Sequence, residues 1–360
     1  MALSRLLRSG VEFGILSILL NRRSVLVRSI LIIIGILIIL PAFGQAEGIE
    51  ISDSNFVRRI NEETGLDSII QNYLQEIDSN NIRSYMQGLV DFKTRFMLAD
   101  NRKDIALWLA EKFESFGYDN VVIDSFQNAI EFPLNSGEYK KSWQYNVKAV
   151  LPGRVDSNKV YLLGAHYDCF IMGPGTDPYT YAPGANNNAS GVAASLEIAR
   201  IFKQKNFRPK YSIYFMAFGS EEFMTMFKEG RSGSDNFVSD FARTGKTIAM
   251  MIDNNQIAYS PKGEEWRLDF QNCPGSAEVT ELAHYLCGRY TKIVPYDTSD
   301  HINYTDAYFF WKAGYPTIFF EEFHFCPYTF TDKDIIGNCN LSYCREATKI
   351  SFVLLLYSNY

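Results

Sequence analysis

The stretch "YAPGANNNASGVAASLEIARIF", residues 181–202, runs from a Pro-Gly loop through three consecutive asparagines into a helix-like segment. Asparagine is a good helix cap. A helix N-terminus also favours a carboxylate, and Asn186, Asn187 and Asn188 offer only neutral amides there. A loop-to-helix junction beyond the strand ends of an α/β sheet is a common place for a ligand or metal site. The three amides therefore read either as caps or as replacements for acidic groups.

Outward from this segment, strands and helices alternate. Apolar, β-rich runs stand at "NVVIDSF" near 120, "QYNVKAVL" near 144, "KVYLLGAHYD" at 159–168, "YSIYFMAFG" at 211–219, "TIAMMID" at 247–253 and "PTIFFEE" at 316–322. Helical patterns fill 101–117, 189–204, 234–244, 276–290 and the region from about 342 onward. Continuous apolar strands separated by helices predict an α/β fold with a mostly parallel central sheet and helices on both faces. Residues 47–360 read as a single domain of that kind.

In such folds ligands bind beyond the carboxyl ends of the strands, so the polar residues after each apolar run carry the functional information. They are His166 and Asp168, then Glu221 and Glu222, then Asp253, Asn254 and Asn255, then Glu321 and Glu322. A lone acid after a strand is usually a cap or a solvated loop residue. An ordered set of imidazole and carboxylates is what a hydrolytic metal site uses: ligands, a carboxylate that orients the imidazole, and a glutamate that takes a proton from a bound water. A serine nucleophile has no support, because Ser190 in "NASGV" is not in a Gly-x-Ser-x-Gly elbow.

The motifs "LLGAHYD" (162–168), "APGANNNASGVAASLEIAR" (182–200), "MAFGSEEF" (216–223), "FFWKAGYPTIFF" (309–320) and "CPYTFTDKDIIGNCNLSYCREATK" (326–349) occur in one order along the chain. Together they resemble the co-catalytic zinc aminopeptidases of peptidase family M twenty-eight, which also includes glutaminyl cyclases and glutamate carboxypeptidases. The resemblance implies a three-layer sandwich and a site of two zinc ions bridged by an aspartate, with two histidines, a glutamate and a second aspartate as the other ligands. It makes His166 a metal ligand, Asp168 the residue orienting it, Glu221 the general base and Glu222 the glutamate ligand. It also puts Asn187 at the bridging aspartate, Asn255 at the second aspartate and Phe330 at the last histidine.

An amide offers one neutral oxygen where a bridge needs two anionic ones, and phenylalanine offers nothing. The resemblance therefore implies zinc with a depleted ligand set, a weak or non-catalytic protein, and peptide or protein N-termini as partners. The alternative is an active zinc aminopeptidase with shifted ligands, drawing on Asp253, which shares a strand face with Asn255, or on His324. His301, in "TSDHINY", reads as a loop residue, because spacing to "AGY" aligns Asp306 with the family's aspartate. His284 reads as a helix-face residue.

The first 46 residues differ in kind. Arginines precede the apolar run Ser29–Leu40, followed by "PAFGQA". This is the pattern of a signal peptide or, if uncleaved, of an N-terminal membrane anchor, and either implies an exported protein. The run is shorter than the roughly 18 apolar residues of a confident spanning helix. Residues 1–46 carry five arginines and one glutamate, so their removal moves the formal charge from −6 to −10. That acidity argues against nucleic acid, and leaves residues 1–46 as the only membrane contact expected. Six cysteines match no zinc ribbon or redox motif, although a Cys326–Cys339 bridge would close a short loop.

Overall fold

The computed structural model describes residues 65–133, 136–222 and 231–360. The leader expected over residues 1–46 lies outside them, and among the described residues no helix is long and apolar enough to cross a membrane.

The sheet is built from β1 (Val121–Glu131), β2 (Tyr139–Leu151), β3 (Asp156–His166), β4 (Tyr211–Phe218), β5 (Thr247–Asn255), β6 (Arg267–Asn272), β7 (Val294–Thr298) and β8 (Thr317–Glu322). Their order across the sheet is β1-β2-β4-β3-β5-β8-β6-β7. The centre, β4-β3-β5-β8, is parallel, whereas β2 joins β4, and β6 joins β8, in antiparallel fashion. The central strands are apolar on consecutive positions because both faces are covered. Leu163 and Ala165 of β3, with Ile213, Phe215 and Ala217 of β4, enter the larger core; the alternate residues Val160, Leu162, Tyr214, Met216 and Phe218 enter a second core on the opposite face.

Eight helices are described: α1 (Leu66–Gln75), α2 (Ser79–Val90), α3 (Arg102–Ser115), α4 (Ser190–Gln204), α5 (Gly233–Phe241), α6 (Ala277–Tyr290), α7 (Ala307–Lys312) and α8 (Leu341–Asn359). Helices α3, α4, α6 and α8 contribute to the larger core, while α5 and α7 cover the other face. The mixed α/β sheet with helices on both faces agrees with the sequence reading. Strands β6 and β7 lack an apolar run to announce them. "RLDFQN" alternates polar with apolar residues, and "VPYDT" carries Pro295 at a largely exposed edge. All six cysteines are free thiols, so Cys326 and Cys339 form no bridge.

Between β3 and α4 the chain makes an irregular passage, and a buried arginine holds it. Arg95 is 1% exposed; its guanidinium donates to the carbonyls of Tyr167 (2.6 Å), Pro183 (2.8 Å), Gly184 (2.7 Å) and Leu89 (3.3 Å). Gly184 has φ +49, and a Cβ there would lie 2.7 Å from Arg95 Nη2 and 2.6 Å from the Asn187 carbonyl oxygen, so glycine alone fits this close approach. Replacing Arg95 by methionine would strand several buried carbonyls, each costing about 1–3 kcal/mol when unsatisfied. The Arg95→Met variant is expected to lose about 3 kcal/mol or more in a urea titration. A loss under about 0.5 kcal/mol would contradict this role.

Candidate functional site

Three neighbouring asparagines have three different tasks. Asn186 donates from Nδ2 to both oxygens of Glu322 at 2.9 Å and accepts from Ala258 N at 2.8 Å. Asn188 accepts from Gly191 N (2.9 Å) and Gln256 N (3.1 Å) and donates to the Asn254 carbonyl (2.8 Å). These two tie the passage to β5 and β8. Asp334 takes the backbone N–H groups of Asn186 (2.7 Å) and Asn187 (2.9 Å). The Asn187 side chain is left free of scaffold duty. It lines a cavity of about 220 Å³, donates from Nδ2 to Glu222 Oε1 at 2.9 Å, and has a buried Oδ1 without a partner.

The same cavity is lined by Glu221, Glu222, Asn255 and Phe330, and also by Gln256, His301 and Glu321. His166, at the end of β3, is buried behind it, with Nε2 3.2 Å from Asn255 Oδ1 and 3.6 Å from Glu221 Oε2. Its Nδ1 is 3.1 Å from the Asp168 carbonyl oxygen and 3.8 Å from the Asp168 carboxylate. That carboxylate accepts the backbone N–H of Glu221 at 3.0 Å and of Glu222 at 3.2 Å, so Asp168 fixes the loop after β4 as well as facing the imidazole.

The two candidates for shifted ligands, Asp253 and His324, are not among the residues lining the cavity. Asp253 shares a strand with Asn255 but lies two residues deeper, where Oδ2 accepts from Ala307 N at 3.0 Å. His324 is half-buried beyond β8, its ring against Phe323, and is not among the lining residues. The histidine that does face the cavity is His301, contrary to its reading as a plain loop residue. Its Nδ1 is 2.6 Å from Glu321 Oε2, while Glu321 Oε1 accepts from Gln256 Nε2 at 3.0 Å. Only its position in a loop between β7 and α7 brings it there, and no motif marks that. His284 stays on α6, 2.8 Å from Asp297.

Burial alone disfavours a charged His166, but the carboxylates of Glu221, Asp168 and Glu222 outweigh it and hold the imidazole well above its usual range. Each ring nitrogen has an oxygen beside it, Nδ1 the Asp168 carbonyl and Nε2 Asn255 Oδ1. Acids outnumber cations around it. Burial pushes Glu222 up to about 8 and Asp253 to about 7. Asp269, register partner of Glu321 on β6, is raised to about 7, first by burial and then by the Glu321 charge.

A parallel-centred α/β sheet with carboxylates and imidazoles gathered at its carboxyl edge is an arrangement that hydrolytic sites use. Residues 146–355, more than half of the chain, match the model of Peptidase family M28, and the chain belongs to that family. It is 33% identical over 244 residues to a probable zinc metalloprotease of Pyrenophora tritici-repentis, covering 62% of this chain and 52% of that protein. To a probable aminopeptidase of Saccharomyces cerevisiae it is 23% identical over 325 residues, covering 86% and 80%. The chain thus spans about half the length of the first of these relatives. The LapA aminopeptidase of Legionella pneumophila superposes with a TM-score of 0.66 at 20% identity, over 81% of this chain and 75% of that one, a likeness of fold.

Zinc is implied by these relatives, and the donor set here does not fit the family's two-ion arrangement. A zinc-bound histidine needs a free nitrogen lone pair, and both His166 nitrogens face acceptors. Glu222 Oε1 accepts a hydrogen bond from Asn187 Nδ2, Asn255 is a neutral amide, and Phe330 has no donor atom. Among the described residues no three His, Cys, Asp or Glu side chains come together as a group able to hold a metal ion.

Two predictions follow from this geometry. Asn188→Ala removes three buried hydrogen bonds and is expected to destabilise by about 2–4 kcal/mol, whereas Asn187→Ala removes one and is expected to cost about 1 kcal/mol or less; denaturant melts of the two variants check the ranking. The second concerns pH. A carboxyl whose folded pKa is raised keeps its proton in the native state after the unfolded chain has released it, so stability falls as pH rises from about 4 to about 8. His166, raised above its unfolded value, acts in the same sense. Thermal melts are expected to show a higher Tm near about pH 5.5 than near about pH 8, with a shallower slope in Glu222→Gln.

Proposed function

We propose that this chain is a metal-depleted member of its family that receives the amino termini of peptides or proteins in its cleft and hydrolyses them weakly or not at all. The observation that carries the reading is the pair of amide contacts, Asn187 Nδ2 to Glu222 Oε1 at 2.9 Å and His166 Nε2 to Asn255 Oδ1 at 3.2 Å. Each amide occupies a surviving ligand candidate with a hydrogen bond. Neutral dipoles stand where dications would neutralise the surrounding acids, and the carboxyl oxygens of Glu221, Glu222 and Glu321 remain in the cavity wall as acceptors for the N–H groups of an amino terminus. Glu221 keeps the position of a general base, but a base accelerates hydrolysis only when the attacking water and the carbonyl are both polarised. The reading includes export, for which the leader pattern is the support.

Dialysis against trace zinc followed by metal analysis is expected to give well below one ion per chain. The triple variant Asn187→Asp, Asn255→Asp, Phe330→His is expected to gain zinc and turnover of aminoacyl anilides that Glu221→Ala abolishes. Each single reversion should do neither, since ligands of one site act as a unit. Close to two zinc ions in the unaltered protein, with Glu221-dependent turnover matching the revertant, would replace this reading by an active enzyme with shifted ligands.

A further inference from the structure

A second cavity, of about 340 Å³, lies away from the cleft, on the face of β1, β2 and β4 that α5 covers only in part. The strand registers lay out its floor. Val122, Lys148 and Met216 stand in one row across the three strands; Asp124 and Asn146 form the next row toward the end of β1, and Tyr214 lies in the row on the other side. Phe237 and Phe241 of α5 form the roof. Tyr214, Met216, Phe237 and Phe241 are all at least nine-tenths buried, so the interior is apolar.

Charge is distributed unevenly along this floor. At the Tyr214 end, Lys246 Nζ donates to Tyr214 Oη at 2.9 Å, and the ammonium groups of Lys148 and Lys246 lie 5.5 and 5.6 Å from the Tyr214 ring centre. Among the described residues neither lysine has a carboxylate within ion-pair distance. Asp124, in the row beyond Lys148, accepts from Asn236 Nδ2 at 3.0 Å, and Asp240 of α5 pairs with Arg243 at 3.0 Å. Lys148 stands between the Asp124 row and the Tyr214 row, while Lys246 and the Tyr214 hydroxyl lie together at one end, so the donors converge at Tyr214 and favour an anion headed toward it.

We propose that this cavity binds a small amphipathic monocarboxylate, its carboxylate between Lys148 and Lys246 and its hydrocarbon body over Met216 and under Phe237 and Phe241. Two ammonium donors and the Tyr214 hydroxyl form the polar contact, and the buried rings supply the apolar area that a pocket of this size needs to retain a ligand. Asp124, beyond Lys148, disfavours a second carboxylate there, which selects against dicarboxylates of similar length. None of these residues lines the cleft, so the inference is independent of the proposed function.

Octanoate is the probe, titrated into the purified protein by isothermal calorimetry. The expected result is saturable binding of one octanoate per chain, at least about tenfold weaker in Lys148→Met and in Lys246→Met. Octylammonium and the dicarboxylate suberate are each expected to bind at least about tenfold more weakly than octanoate. Met216→Trp, which fills the floor, is expected to abolish binding; Val122→Trp at the exposed rim serves the same purpose if the first variant does not fold. Absence of saturable octanoate binding, equal binding of octylammonium, or undiminished binding in both lysine variants would overturn the proposal.

Discussion

The acceptance of two consecutive backbone N–H groups by one buried carboxylate, Asp334 on Asn186 and Asn187, is the contact on which the upper edge of this molecule depends. Residues 184–189 run through the interior without the ladder of a strand or the repeating bonds of an ordinary helix. Buried backbone polar groups must nevertheless be paired. Side chains from distant segments do this: Arg95 for the carbonyls before the passage, Asp334 for its amides, and Glu322, which also takes Tyr259 N and Cys326 N at 2.9 Å, for the side chain of Asn186. The passage thereby fixes the relative positions of β5, β8 and the loop that follows β8.

Because the passage is so tightly held, Asn187 is placed at the cavity whatever its own side chain does. Its neighbours spend their amides on scaffold bonds, while its own carbonyl oxygen spends nothing. A carboxamide is nearly the shape of a carboxylate, so an exchange at this position alters charge and donor capacity with little change in volume. The fold thus accommodates either chemistry at positions 187 and 255, which is how a scaffold and its catalytic equipment can part company.

Much of this was legible in the sequence. Strands β3, β4 and β5 carry apolar runs because both faces are covered there, and the residues at and just beyond their carboxyl ends include His166, Glu221, Glu222 and Asn255. Asn187 and Phe330 were placed by their motifs. The legible part ends where position depends on distance rather than pattern. Asp253 satisfies the two-residue periodicity of a strand, yet two residues along β5 carry it about 6.6 Å deeper, to the amide of Ala307. His301 faces the cavity from a loop whose path no periodicity describes. Asp334 looks like one of two acids in "TDKD", and its role appears only once the two amides it caps are brought across more than a hundred residues of chain.

The two edges of the sheet differ in a way that bears on how copies of this protein meet. At one edge, Val294 N turns inward to the Trp266 carbonyl, so the next residue, Pro295, faces outward and presents no N–H to an incoming strand. Proline at such a place blunts β7 as a template. The opposite edge, β1, is eleven residues long and contains no proline. An added strand would therefore find its hydrogen-bonding row interrupted at β7, whereas among the described residues no strand pairs with the outer side of β1 and no proline interrupts it.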